Sequence, residues 1–191
     1  MINLKNICDS IGFSPKVLFE VGVCQPSDSH VKDFLDGATK AELFEPHPFY
    51  YQRLVIAFES YEQVKVHNVA IYKEEGKVKL YNRNASTFVE GIESPAKVND
   101  GYSEKEGDVF NIDAKTFDQY DTGDIELLAI DTEGCEWFAI EKMKSRPKLI
   151  CVETHGMRYT NPYLKEIEAW MKENGYEVID RDVSDTIYVK R

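Results

Sequence analysis

Four acidic residues sit in or at the close of short apolar runs: Glu20, Glu45, Asp131 and Glu153. A carboxylate buried in such a run costs several kcal/mol unless it is paired or hydrogen-bonded. A sheet gains nothing structural from four of them, so equivalent placement at strand ends points to a site. Glu45, at the end of a second strand, can accept both hydroxyls of a ribose in charge-assisted bonds worth roughly 1.5–3 kcal/mol each. Asp131 is followed by Glu133 and Glu136, and Glu153 by His155. Histidine titrates near neutral pH, which suits proton transfer. The oxygens of Asp131, Glu133, Glu136 and Glu153, with His155, suit a hard cation such as magnesium. No spacing demands one, and no metal is assigned. His47, flanked by two prolines, reads as a helix-start residue. His30 and His67 read as structural, Trp137 and Phe138 as helix packing, and Tyr50-Tyr51 as core and rim.

The elements that must hold these acids follow from hydrophobic periodicity. Val17 to Val23 reads as a buried strand ended by Gln25-Pro26. Ser27 can cap a helix with Val31, Phe34 and Leu35 on one face and Gly37 at its end. Ala41 to Glu45 forms a second strand, and Pro48 starts a helix with Tyr51, Leu54, Val55 and Phe58 on one face. Val64 to Ile71 is expected as a third strand. Val78 to Tyr81 alternates like an edge strand, and Glu90 to Asp108 is polar, charged and long for a connection. Val109 to Ile112, Ile125 to Asp131 and Leu149 to Glu153 are further strands, with a helix over Cys135 to Met143. Asn161-Pro162 starts a helix with Leu164, Ile167 and Met171 inward and Gly175 at its end. Tyr176 to Ile179 and Thr186 to Val189 close the chain as an antiparallel hairpin. Strands alternating with helices imply an α/β fold, with a mostly parallel twisted sheet covered by helices on both faces. Ligands of such sheets bind at the carboxyl ends of the strands.

Composition narrows the function classes. The 191 residues suit one domain, 1–191, and 42% hydrophobic content is enough for a core. With 23 basic and 34 acidic residues the net charge is −11 and the basic residues are scattered, so no nucleic-acid partner is expected. No apolar run approaches the roughly 20 residues of a membrane span. Met1-Ile2-Asn3-Leu4-Lys5 lacks the order of a secretory signal, so a cytoplasmic location is expected. On that footing Asn84-Ala85-Ser86 is an accidental glycosylation acceptor. Cys8, Cys24, Cys135 and Cys151 are too widely spaced for a zinc or redox pair, and Cys24, Cys135 and Cys151 read as buried thiols.

Three stretches together closely resemble the FkbM family of methyltransferases: Ile125 to Glu136 with its Asp131-Thr132-Glu133-Gly134-Cys135-Glu136 block, Phe44-Glu45-Pro46-His47-Pro48, and Thr116-Phe117-Asp118. Cys151-Val152-Glu153-Thr154-His155 matches the family's later Glu-x-His pattern, and Glu20-Val21-Gly22 resembles the first motif of class I methyltransferases. The resemblance runs from about Val17 to Val189. It departs in two places: Cys24-Gln25-Pro26-Ser27 lacks the second glycine of the first loop, and Ala129 stands where many relatives carry lysine.

The resemblance implies a class I methyltransferase Rossmann-like fold and S-adenosylmethionine as cofactor. It further implies O-methylation of a hydroxyl on a sugar, glycan or small-molecule acceptor. Glu20, Val21, Gly22 and Val23 would then lie on the methionine side of the cofactor, Glu45 with Pro46 at the ribose, Asn68 and Val69 near adenine, and Asp131 at the reacting centre. Asp131, Glu133, Glu153 and His155 are the candidates for acceptor binding or general base. A variable insert at about 81–108, with Ser86-Thr87-Phe88, is the expected acceptor-binding element. It is short, so a bulky acceptor would need an open cleft or a second subunit of a homo-oligomer. Two rivals stand beside this reading. One is a non-catalytic module of the same fold that binds the cofactor or a partner. The other is a nucleotide-dependent oxidoreductase, which needs a phosphate-binding turn that the Gly22–Ser27 loop does not supply.

Overall fold

The computed structural model describes residues 3–104 and 108–191. The reading made on Met1 and Ile2, and residues 105–107 of the insert, lie outside them. Helix α1 (Leu4–Ser10) precedes β1 (Val17–Val21), β2 (Lys40–Phe44), α2 (Pro48–Ala57) and β3 (Val64–His67). The chain continues through β4 (Ala70–Ile71), β5 (Gly76–Tyr81), β6 (Phe88–Val89), α3 (Pro95–Val98) and β7 (Val109–Lys115). It closes with β8 (Leu127–Ile130), α4 (Glu136–Ile140), β9 (Leu149–Glu153), α5 (Leu164–Glu173), β10 (Tyr176–Arg181) and β11 (Asp185–Lys190).

The main sheet has seven strands in the order β3-β2-β1-β8-β9-β11-β10. β3, β2, β1, β8 and β9 pair in parallel, while β11 pairs antiparallel with β9 and with β10. This is the expected mostly parallel sheet with a C-terminal hairpin. Period-two alternation sorts its side chains to two cores. Leu18, Leu43, Leu127, Ala129, Leu149, Cys151 and Ile187 pack with Leu4 and Cys8 of α1 and Leu54 of α2. Phe19, Val21, Phe44, Leu128, Ile130, Ile150 and Val152 pack on the other face with Ala139 and Ile140 of α4 and Ile167 and Met171 of α5. Strands β2 and β8 flank β1 and lead away on opposite sides of it, which makes the β1 end a crossover point open to a ligand.

A second sheet, β4-β7-β5-β6, was not expected from the sequence. Val64 to Ile71 is not one strand. It divides at Asn68 and Val69, and β4 leaves the main sheet to pair in parallel with β7. The Val78–Tyr81 segment is not an edge either, because β5 pairs with β7 on one side and β6 on the other. This sheet packs Ala70, Val78, Leu80, Val89 and Ala114 against Cys135 and Phe138. The polar stretch after Glu90 carries α3, where Ser94 accepts from the Lys97 amide and Pro95 takes the first position.

Other differences are local. The helix expected after Ser27 is a 3-10 turn, Lys32–Gly37. The Glu20 carboxylate explains this: it accepts from the His30 amide at 2.8 Å and the Ser29 hydroxyl at 2.6 Å, drawing those residues toward β1 before a helical ladder can form. Val31, Phe34 and Leu35 are still buried. In α2 the buried residues are Tyr50 and Leu54, with Phe58 just beyond, whereas Val55 is exposed. Its cap is His47, whose ring accepts from the Phe49 amide. α4 is shorter than the expected Cys135–Met143, and Leu164 at the start of α5 is only half-buried. All four cysteines are free thiols, with Cys24 half-buried and the other three buried. No helix among the described residues is long and apolar enough to cross a membrane.

Candidate active site

A cavity of about 260 Å³ opens where β1, β2 and β8 end, between the main sheet and the second one. Its floor comes from Glu20, Val21, Gly22, Val23 and Cys24 after β1, Glu45 and Pro46 after β2, and Asp131, Thr132 and Glu133 after β8. Ile71, Leu80 and Val89 of the second sheet and residues 84–87 face them, and Tyr50 of α2 closes a side. Val69 lines the cavity as well.

Gly22 is required by the crossing itself. Its φ is +83°, and a Cβ there would fall 1.6 Å from the Asp131 carbonyl oxygen. Its amide donates to the Phe44 carbonyl while the Asp131 amide donates to Val21, both at 2.9 Å. The close approach that the glycine permits is thus between two strand ends of the protein. Three non-glycine residues with positive φ, Cys24 (57°), Asn84 (55°) and Glu133 (57°), all line this cavity. Such residues cost roughly 1–3 kcal/mol each and tend to gather at functional sites.

The turn after β8 is built by Glu136, whose carboxylate is fully buried. One oxygen accepts from the Thr132 amide (2.8 Å), the Thr132 hydroxyl (3.0 Å) and the Gly134 amide (3.1 Å). The other accepts from Asn161 Nδ2 at 2.5 Å. Gly134 has φ +105° and passes the Glu93 carbonyl so closely that a Cβ would lie 2.2 Å from it. This explains the Asp131-Thr132-Glu133-Gly134-Cys135-Glu136 pattern physically: the last acid ties the turn, the glycine clears the backbone, and Asp131 and Glu133 are left facing the cavity.

Burial pushes the carboxyl groups of Glu20, Glu45, Asp131, Glu133, Glu136 and Glu153 upward. Glu45 is raised to about 7, mainly by burial, against the pull of the His47, Cys24 and Val23 amides. Asp131 is raised to about 8 by burial and then by Glu136, Asp185 and Glu20. Glu133 reaches about 9 for the same first reason, with Asp131 and Glu136 adding to it. Glu20, Glu136 and Glu153 are raised as well, burial leading in each case. The Cys24 thiol is pushed up to about 12 by burial and Glu45. The site is therefore a pocket rich in buried carboxyl groups, with His30 as the one basic side chain among its described lining residues, a setting that favours a cationic ligand.

The structure brings together most of the residues expected from sequence. Glu20, Val21, Gly22, Val23, Glu45, Pro46, Val69, Asp131 and Glu133 all line the cavity. Asn68 does not. Its Nδ2 donates to the Glu45 and Pro46 carbonyls at 2.9 and 3.0 Å and so fixes the β2 exit. Glu153 lies behind Asp131, their carboxylate oxygens and those of Glu136 within 4.8 Å of one another. His155 stands outside the lining. Its Nδ1 contacts the Thr154 hydroxyl at 2.8 Å, and burial, with Arg181, lowers its pKa. Phe88 of the expected Ser86-Thr87-Phe88 segment is fully buried and stacks on Tyr81, while Ser86 and Thr87 do reach the cavity.

Sequence reasoning missed three contributions. His30, read as structural, lines the cavity. It also approaches Cys151 and Asp185, its nearest ring nitrogen and their Sγ and carboxylate oxygen within 4.8 Å of one another. Tyr50 could have been found by counting from the His47 cap. The apolar wall of Ile71, Leu80 and Val89 had no local signal, because it depends on pairings between distant strands.

Comparisons with known proteins agree with this geometry. Residues 20–178 match the methyltransferase FkbM domain family. The structure of methyltransferase FkbM from Methylobacillus flagellatus KT resembles the chain with a TM-score of 0.60 at 15% identity, over 92% of this chain and 44% of that one. The present chain thus spans less than half of that protein's length. A Staphylococcus aureus protein assigned as a caffeoyl-CoA O-methyltransferase gives 0.55 at 13% identity, over 98% and 81% of the two chains. Precorrin-6y C5,15-methyltransferase from Geobacter metallireducens GS-15 gives 0.51 at 10%, over 96% and 84%. At such identities the likeness establishes the fold alone. Among curated proteins none matches.

Proposed function

This chain belongs to the FkbM methyltransferase family, and from that premise we propose that it methylates a hydroxyl of a sugar, glycan or other small acceptor, using S-adenosylmethionine. The observation that carries the reading is the cavity at the β1, β2 and β8 ends, acidic on its floor and apolar on its roof. S-adenosylmethionine supplies a methyl group already activated by a positively charged sulfur. The chain's residues fit such a ligand: the carboxyl groups of Glu45, Asp131 and Glu133 match its positive charge, and Ile71, Leu80 and Val89 offer apolar contact to a flat base. Glu45 retains capacity for a ribose. Its two oxygens accept the Cys24 and His47 amides at 2.7 Å, with the Val23 amide also acting on the carboxylate, and of its roughly four acceptor sites capacity for a hydroxyl remains.

Glu20, Gly22 and Val23, with Pro46 and Val69, would hold the rest of the cofactor. Asp131 and Glu133 face the cavity and are the groups placed to meet the acceptor hydroxyl and take its proton, with Glu153 behind Asp131. Residues 84–87, between β5 and β6, would position the acceptor. Alignment of reacting groups in a fixed site can supply roughly 7–11 kcal/mol of the barrier reduction.

Calorimetry separates this reading from its rivals. S-adenosylmethionine and S-adenosylhomocysteine should bind with 1:1 stoichiometry and NAD should not. NAD binding in their place would establish the oxidoreductase. A labelled-methyl screen over glycans and small alcohols then tests transfer, and silence despite tight cofactor binding would leave a binding module.

A further inference from the structure

Asp131, Glu136 and Glu153 place a carboxylate oxygen each within 4.8 Å of the others. Their hydrogen-bond donors are unevenly shared. Glu136 is bound by Thr132, Gly134 and Asn161. Glu153, only 8% exposed, has Oε2 buried with no partner. A second orphan faces the same turn. The hydroxyl of Tyr159, a residue 1% exposed, has no partner, and it lies 3.3 Å from the point where a Cβ on Gly134 would sit. The charges that act most strongly on that hydroxyl are those of Glu136, Glu153 and Glu133. Glu133 Oε2 is likewise buried and unpartnered.

A proton shared between Asp131 and Glu153 would relieve the repulsion of one pair. It would leave Glu133 Oε2 and the Tyr159 hydroxyl as they are, and buried polar atoms without partners cost roughly 1–3 kcal/mol each. A cation answers both problems. Oxygen-only donors select hard divalent ions, and magnesium keeps several of its waters, which can hydrogen-bond the remaining orphans.

We propose that Asp131 and Glu153, with Glu136 as the third carboxylate, bind a divalent cation of the magnesium class at the inner end of the cavity. Asp131 belongs to both the cluster and the cavity lining, so the ion would be reached from the cavity. Resting on the methyl-transfer reading, its role is to hold the acceptor hydroxyl and favour loss of its proton to Glu133, which stays outside the ligand set.

The test uses the whole chain without cofactor and Mn²⁺ as probe, followed by calorimetry and by NMR line broadening. One ion should bind per chain, compete with Mg²⁺, and broaden amide signals near residues 130–134 and 152–154. Glu153→Gln, which keeps the shape of the side chain, should weaken Mn²⁺ by at least roughly tenfold. His155→Ala should not. Wild-type protein that binds neither Mn²⁺ nor Mg²⁺ at roughly 10 mM would overturn the proposal, as would broadening confined to other residues. Should Glu153→Gln fail to fold, the wild-type broadening pattern still decides. Cofactor binding is measured separately, so ion binding without S-adenosylhomocysteine binding would remove the methyl-transfer reading and leave the ion site standing.

Discussion

At the scale of single residues, Glu45 shows how a side chain can serve structure and ligand together. Its carboxylate accepts the Cys24 and His47 amides, tying the loop after β1 to the start of α2. Burial nevertheless holds it near 7. The folded value lies above the ordinary one, so Glu45 costs the unliganded fold stability as pH rises from the usual carboxylate range through about 7. A ribose offers two hydroxyl donors, and the ionised form accepts them better. Affinity for S-adenosylhomocysteine should therefore rise roughly tenfold between about pH 6 and about pH 8, as Glu45 ionises. In Glu45→Gln that rise should vanish, with affinity at the higher pH down by roughly tenfold. A wild-type profile that is level across this window removes the ribose role. The acid was legible in sequence because it closes an apolar run. Its use by two backbone amides was not, since those amides come from separate loops.

Among the elements, the sequence was most legible where one strand and its own turn carry the signal. β1, β2, β8 and β9 each appear within a residue or two of expectation, and the hairpin of β10 and β11 closes the sheet as read. It was least legible where a tertiary bond overrides local pattern. The apolar spacing of Val31, Phe34 and Leu35 is helical, yet Glu20 holds His30 and Ser29 against the strand and leaves a 3-10 turn. The second sheet depends on β4 pairing with β7 some 40 residues later, a pairing that no local period encodes. The β1–β8 crossing makes a sharp element-scale prediction. Gly22→Ala sets a Cβ 1.6 Å from the Asp131 carbonyl and must separate the strand ends. Gly123 also has positive φ, +89°, but nothing lies within 4 Å of its Cβ position. Gly123→Ala should cost about 1–2 kcal/mol, and Gly22→Ala more than about 3 kcal/mol, measured by urea unfolding. Equal losses would mean that the crossing yields easily.

The whole molecule is two sheets with a cavity between them, and this arrangement lets a ligand add a further link between parts already packed through Cys135 and Phe138. The main sheet brings the acids, and the second brings apolar residues and the Asn84–Ser86 turn. A ligand held by both must order both. If it bound only the strand ends, the second sheet would be a bystander and the acceptor would meet open solvent. Binding at a hundredfold excess over Kd stabilises the native state by about 2.7 kcal/mol, and local opening slows wherever the ligand closes a gap. Hydrogen exchange with and without S-adenosylhomocysteine resolves the two cases. Amides of residues 22–24 and 131–134 should slow on binding, and so should those of residues 84–87 across the cavity. The outer strand β10, four strands away from β1 in the sheet order, should not change. Protection of 22–24 alone would place the ligand on the main sheet only, and the acceptor would then have to be sought on another surface.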